Sequence, residues 1–291
     1  MNTSGVFTVH QYPIFCNENK PFRLVVFGDV HRDSPNHAKH AWQDDLKLFR
    51  SYPKASTYFL GMGDYFDNAS ASERSNLVRI GPDMHETILN DLSILAQSKV
   101  KAFAKEIEFM CGRLVGLVNG NHFFNFQDGT NTDQRLCGLL DCKYLGVSSF
   151  IRLAVGDGGG REHSLDIWCH HGKGAARLVG GSINRVDQMR EAAEADIYVM
   201  GHDHNRMAVP AKPRLFLRNT SRGGLQVKQR QSYLIRSGSY LASYEDGQSN
   251  YNVDEARNPC SIGHVELEIT PRISTPQHQH NWEGFEIIGR C

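Results

Sequence analysis

No apolar run in this 291-residue sequence is long enough for a membrane-spanning helix, so no helical membrane span and no membrane partner are expected. Net charge is missing too. Lys plus Arg and Asp plus Glu each number 32, so no whole-molecule field draws the chain to nucleic acid or an anionic membrane. Residues Met1 to Lys20 lack a basic region followed by an apolar core, and no signal peptide is expected. The seven cysteines, at 16, 111, 137, 142, 169, 260 and 291, include no CxxC pair and are odd in number. Most sit in apolar contexts and read as buried free thiols of a cytoplasmic protein. Internal repeats, low-complexity tracts and linker-like stretches are absent between Arg23 and Ile269, so 1–291 reads as a single domain.

What the chain does have is ordinary globular composition with one excess. Hydrophobic residues make up 40% and charged residues 22%, which suits a folded enzyme rather than a disordered chain. Histidine, at 14, is over-represented, and that excess points to a site.

Taken in order, residues 1–21 read as an irregular arm with one edge strand. Arg23 to Phe27 is a strand, followed by a helix over about Pro35 to Tyr52 with Trp42, Leu46 and Phe49 facing the core. Thr57 to Leu60 is a second strand and Asn68 to Ser75 a surface loop. A long helix over about Asp83 to Met110 keeps Ile88, Leu92, Leu95, Phe103, Ile107 and Met110 on one side. Leu114 to Val118 is a third strand. Thr132 reads as the N-cap of a short helix through Leu140. Strands follow at Phe150 to Val155 and Ser164 to Cys169, then a glycine- and alanine-rich loop to Ser182 and a helix over about Asn184 to Ala195. Ile197 to Met200 is the next strand. After it come strands at Arg214 to Leu217, Leu225 to Lys228, Tyr233 to Arg236 and Ile262 to Ile269. Strands alternating with helices define an α/β class.

Five of these strands end in ligand-capable side chains beside a glycine. The ends carry Asp29 and His31, then Asp64, then Asn121 and His122, then His171, then His202 and His204. In Gly201-His202-Asp203-His204 the glycine is expected to let the backbone turn tightly, and period-two alternation puts both rings on one face. Sites in open α/β sheets form outside the carboxyl ends of strands. A reading without a site needs five separate explanations, such as Asp64 as a turn residue and His171 as a core histidine. The donors are carboxylate, imidazole and amide oxygen without thiolate, which suits Mn²⁺, Fe²⁺ or Zn²⁺. Seven donors exceed what one ion with an open position needs, and two ions sharing a carboxylate fit the number.

The order Asp29-x-His31, Gly63-Asp64-x-x-Asp67, Gly120-Asn121-His122, His171-Gly172, Gly201-His202-x-His204 resembles the calcineurin-like metallophosphoesterase superfamily. The resemblance covers about residues 25 to 204. It implies a four-layer αββα sandwich with a two-sheet core, the motif core over about 23–204, C-terminal strands over about 205–270 and a tail at 271–291. It implies two divalent metal ions, Mn²⁺ by preference with Fe²⁺ or Zn²⁺ as alternatives. Asp29, His31 and His204 would hold one ion; Asn121, His171 and His202 would hold the other, with Asp64 bridging. His122 would serve as proton donor and Asp67 would orient it. The implied activity is phosphate-ester hydrolysis through a metal-bridging hydroxide, with a phosphodiester (nucleotide or nucleic acid) preferred. A phosphomonoesterase and a non-catalytic, metal-organised binding module are the alternatives.

Two positions depart from that pattern. Phe123 stands where many members have an acidic residue, and Asn68 where Ser/Thr protein phosphatases have arginine. Both weigh against a protein phosphatase. His170 and His171 are adjacent and either could be the ligand; His171 is preferred because the family histidine directly precedes glycine, and His170 then reads as a strand residue on the opposite face. Asp203 is expected to point away from the metals. From Asn205 to Tyr244 there are eight basic residues and no acidic one: Arg206, Lys212, Arg214, Arg218, Arg222, Lys228, Arg230 and Arg236. This 206–236 stretch is either a polyanion-binding surface for nucleic acid or nucleotide, or a solvated pair of hairpins. Phe123, Phe124 and Phe126 either stack on a leaving group or pack in the core. His278-Gln279-His280 reads as a surface feature rather than a third site. The oligomeric state is not legible.

Overall fold

Two β-sheets lie face to face because their strands alternate apolar side chains between two different cores. The computed structural model describes residues 6–17, 19–68, 86–156, 162–174, 178–219, 223–244, 258–272 and 284–291, with 75–76, 79, 176, 247, 251–254 and 256 as isolated positions. One sheet has the order β1 (Phe7–Phe15), β5 (Ser148–Gly156), β6 (Glu162–His170), β7 (Ile197–Met200), β11 (Tyr233–Ser237), β8 (Arg206–Pro210). The other has the order β13 (Gly284–Arg290), β12 (Val265–Arg272), β2 (Phe22–Phe27), β3 (Thr57–Gly61), β4 (Leu114–Leu117). On β2, Leu24 and Val26 enter the core between the sheets, where they meet Ile151, Leu153, Ile167 and Val199 of the facing sheet. Val25 and Phe27 point the other way.

Helices cover both outer faces. Helix α1 (Lys39–Ser51), α2 (Glu86–Ile107) and α3 (Thr132–Leu140) pack Trp42, Phe49, Val100, Phe103 and Leu136 on Val25, Phe27 and Phe59. Helix α4 (Val179–Ala192) sets Val186 and Met189 on Tyr198 and Leu234 of the six-stranded sheet. The result is the αββα sandwich that the motifs imply. No described helix is long and apolar enough to cross a membrane.

Several local expectations need correction. Ile88 and Leu95 are exposed, and the buried positions of α2 begin only at Ala96. The cap of α3 is Asn131 rather than Thr132. Its side chain accepts from the N–H of Gln134 while the Gln134 side chain accepts from the N–H of Asn131, a closed capping box. Helix α4 starts at Val179, earlier than expected, in a stretch whose glycines had suggested loop. Two strands went unread: the short β8, and β13 in the tail, where Gly284–Arg290 pairs antiparallel with β12. All seven cysteines are free thiols, but only Cys137 and Cys169 are buried, whereas Cys111 and Cys291 are exposed. The first part of the long helix (83–85), most of the 68–75 loop, the 157–161 turn, Arg222 and the 278–280 tripeptide lie outside the described residues.

Candidate metal centre

Strands β2, β3 and β4 run parallel in one sheet, and β6, β7 and β11 run parallel in the other. Their carboxyl ends meet at one margin of the sandwich, and all five ligand-bearing segments leave from there. The loops touch through backbone: Asp29 N–H donates to the Gly63 carbonyl at 2.9 Å and His31 N–H to the Asp64 carbonyl at 3.0 Å. Such approach leaves no room for a Cβ at Gly120, where one would stand 2.1 Å from Asp64 Oδ1.

Three clusters result, with the donor atoms of each within 4.8 Å of one another. Asp29, His31 and His204 form one; Asp64, His171 and His202 form a second; His31, Asp67 and His122 form a third. Asn121 joins the second, its Oδ1 lying 2.8 Å from both His171 Nε2 and His202 Nδ1. Asp64 stands between the first two. Its Oδ1 accepts the N–H groups of Asn121 at 2.6 Å and His122 at 2.9 Å. That leaves Oδ2 facing His171 Nε2 at 3.3 Å and His31 Nε2 at 3.9 Å. Asp29, His31, Asp64, His202 and His204 all have φ between 44° and 72°. Left-handed backbone is uncommon outside glycine, Asp and His adopt it more readily than most residues, and five cases in one site mark a tightly constrained backbone. Gly201 does not supply the turn expected of it. The left-handed φ values fall on the two histidines, and Gly201 instead clears space for Asp29, whose Oδ2 would lie 2.9 Å from an added Cβ.

The donor atoms fit cations. His171 Nδ1 must donate to the Met62 carbonyl, 2.8 Å away, so the neutral ring turns a lone pair towards the oxygens of Asn121 and Asp64. His31 gives its Nδ1 to Asp67 Oδ1 at 3.3 Å, and its buried Nε2 has no hydrogen-bond partner among the described residues. Acceptors facing acceptors, and an orphaned buried nitrogen, are arrangements that a positive charge satisfies. In the protein alone a proton does so. Burial disfavours the His171 charge, but the Asp64 carboxylate outweighs it and raises the ring to about 9. Burial, followed by the nearby His171 charge, lowers His202 to about 4, and burial with the His31 charge holds His204 well below its usual range. Burial raises the Asp29 carboxyl to about 7. Asp64 stays well below the usual carboxylate range despite burial, because His171 lies against it.

His122 stands apart from the two oxygen-rich clusters. Its Nδ1 lies 3.2 Å from the Asn68 carbonyl and 3.3 Å from Asp67 Oδ1. Burial works against its charge, yet the Asp67 hydrogen bond and the Asp64 carboxylate raise it to about 9. In the protein alone it is therefore protonated at neutral pH, with Nδ1 occupied and Nε2 left as donor.

No protein-family model matches the chain, and no curated protein does. Among solved structures the chain is similar to Vps29 from Chaetomium thermophilum, at 10% identity over 92% of this chain and 96% of that one, with a TM-score of 0.38. It is similar to a predicted phosphoesterase from Streptococcus pneumoniae at 11% identity, 93% and 99% coverage and a TM-score of 0.35. It is similar to the calcineurin-like phosphoesterase YfkN from Bacillus subtilis at 10% identity, 92% and 90% coverage and a TM-score of 0.31. The fold is an αββα sandwich by its own layers. Likeness at those values carries nothing about chemistry, which rests on the residues.

Other residues had drawn no notice in the sequence. Buried Asp133, in the first turn of α3, accepts the Gly120 N–H at 2.9 Å and steadies the Asn121-His122 loop from beneath. Ser237 Oγ donates to Asp29 Oδ2 at 3.4 Å, and Asp33 Oδ1 accepts the Asp67 N–H at 2.7 Å. An acidic residue in a helix's first turn was the only available signal for Asp133. His170 stays outside the clusters, its Nδ1 accepting from the Gly172 N–H at 2.7 Å. Phe123 and Phe126 are core residues, with the Arg135 guanidinium 3.4 Å over the Phe126 ring, and Phe124 is half-buried beside them.

The basic stretch divides. Arg236 is 1% exposed. The antiparallel pairing of β8 with β11 runs from Arg206 opposite Ser237, near the site, to Pro210 opposite Tyr233 at the far end of the strands. The hairpin of β9 (Arg214–Asn219) and β10 (Leu225–Arg230) therefore springs from the pole away from the clusters. There Arg230 pairs with Asp196 and Arg214 with the Arg190 carbonyl.

Proposed function

We propose that this protein is a metal-dependent phosphoesterase with two divalent cations, Mn²⁺ by preference. Asp29, His31 and His204 would hold one ion; Asn121, His171 and His202 would hold the other, with Asp64 Oδ2 turned to both. The buried His31 Nε2, without a hydrogen-bond partner among the described residues while its other nitrogen is fixed by Asp67, carries this reading. When bound, such ions draw charge from phosphate oxygens and make water acidic enough to serve as a nucleophile near neutral pH.

The chain's own contribution is a placed proton. Hydrolysis forms a bond from water oxygen to phosphorus and breaks the bond to the leaving oxygen, which needs a proton as it departs. His122 holds that proton on Nε2, since Nδ1 is engaged by Asn68 and Asp67. Asp67 keeps the ring turned and charged, and general acid catalysis of this kind contributes about 10²–10⁴-fold.

We infer a phosphodiester as the substrate class. A monoester dianion carries one more negative charge, and the arginine that protein phosphatases place after the GDxxD block is Asn68 here. Among the described residues, the ion pairs of Asp29, Asp64 and Asp67 are all with histidine. A comparison of bis(4-nitrophenyl) phosphate with 4-nitrophenyl phosphate at added Mn²⁺ tests the inference. Faster diester turnover is expected. Faster monoester turnover would make the protein a phosphatase, and two bound ions without turnover of either would make it a binding module. If nucleic acid is the diester, binding should weaken steeply with salt, while substitution of Arg214 and Arg218, on the hairpin at the far pole, should change it little.

A further inference from the structure

Asp203 separates the two histidines of the Gly201-His202-Asp203-His204 stretch and turns away from both. Its side chain is 1% exposed. Its Oδ1 accepts the Asn205 N–H at 3.3 Å, and its Oδ2 accepts the Ser182 hydroxyl and lies 3.3 Å from Arg236 Nη2. Arg236, at the carboxyl end of β11, is equally enclosed. Its Nη1 donates to the Gly201 carbonyl at 3.0 Å, and its Nε and Nη2 to the Ser182 carbonyl at 3.1 and 2.6 Å. The guanidinium thus grips the residue before His202, the residue after it, and the first turns of α4. Both histidines are held in left-handed backbone, with φ of 72° and 58°. His202 faces Asn121 and His204 faces Asp29, so the two rings diverge from one peg.

We propose that Asp203 and Arg236 form a buried positioning pair that holds His202 and His204 at different ions of the centre. The proposal rests on the two-ion reading above. A pair that served stability alone would be replaceable by apolar side chains of similar size, since a buried ion pair is often no more stabilising than its hydrophobic replacement. A positioning pair is not replaceable in that way, because apolar side chains cannot bond the Gly201 carbonyl or fix Asn205.

The test is Mn²⁺ titration of the full chain, with thermal unfolding and the electron paramagnetic resonance spectrum of the bound ions as separate readouts. Wild type is expected to bind two ions with an exchange-coupled spectrum. The double variant Asp203→Leu/Arg236→Met is expected to unfold cooperatively, at a lowered temperature because the Ser182 and Gly201 carbonyls lose their donor, and, while still folded, to bind both ions at least about tenfold more weakly and lose the coupling. Asp203→Asn, which keeps the side-chain shape, is expected to show the same losses in smaller measure, and it decides the matter if the double variant fails to fold. Unchanged affinity and coupling in a folded variant would overturn the positioning pair while leaving the two-ion reading intact. A wild type that binds only one ion would overturn both.

Discussion

Nδ1 of His31 lies 3.3 Å from Oδ1 of Asp67, and that contact decides which nitrogen of the ring is left over. The same oxygen lies 3.3 Å from Nδ1 of His122. One carboxylate therefore turns a candidate ligand and a candidate proton donor so that both leave Nε2 free. Burial alone would raise Asp67, but hydrogen bonds from His122 and His31 outweigh it and hold the acid far below the usual carboxylate range. Asp67 is ionised at any pH where the site works.

Asp67→Asn keeps the size of the side chain and removes its charge. Turnover should fall about 10–100-fold, the usual effect of losing a group that orients a ligand. Because Asp67 also helps raise His122 to about 9, the alkaline limb of the pH–rate profile should move to lower pH in the variant. A profile with an unmoved alkaline limb would remove His122 from the proton-donor role.

His122→Ala should leave metal content intact and cut turnover about 10²–10⁴-fold. The loss should depend on the leaving group. A 4-nitrophenolate departs without much help, so its ester should suffer far less than an alkyl ester. Equal losses on both, or a fall in bound metal, would contradict the assignment.

Cation binding should release protons, and the sign follows from the shifted groups. His171, raised to about 9, is protonated in the protein alone at pH 7, and a cation must displace that proton. Asp29, raised to about 7 by burial, takes up a proton as pH falls through that value. Affinity for Mn²⁺ should therefore rise with pH up to about 9 and fall increasingly below 7. Calorimetric titration in two buffers of different ionisation enthalpy measures the release directly, and identical heats in both would contradict it.

Much of this was legible in the sequence because strand ends announce themselves. Short apolar runs gave β2 and β3, the 3.6-residue period gave the Trp42, Leu46 and Phe49 face of α1, and a polar residue beside glycine marked each loop that turns into the site. Nine residues named from those loops come together in space. What stayed hidden has no local period. β8 is five residues long and half exposed, and β13 pairs with a strand already counted, so neither carries the alternation of a buried strand. Asp133 and Arg236 act on loops far away in the chain, and sequence spacing holds no trace of such contacts. The amphipathic pattern of α2 misled, since its apolar residues start before its buried positions do.

Gly120→Ala gives a check on the close approach of the β3 and β4 loops. Its Cβ would fall 2.1 Å from Asp64 Oδ1, and the nearest atoms are backbone and a buried carboxylate rather than a flexible tip. The carboxylate must move, so Mn²⁺ affinity should drop at least about tenfold at both positions. Retention of wild-type affinity would mean that Asp64 need not stand where it does.

The central claim is that these strand ends hold two ions. The direct measurement is anomalous scattering from crystals of the protein grown with Mn²⁺. Two peaks are predicted, one enclosed by Asp29, His31 and His204 and one by Asn121, His171 and His202, with Asp64 facing both. A single peak shared by His202 and His204, or none, would contradict the account.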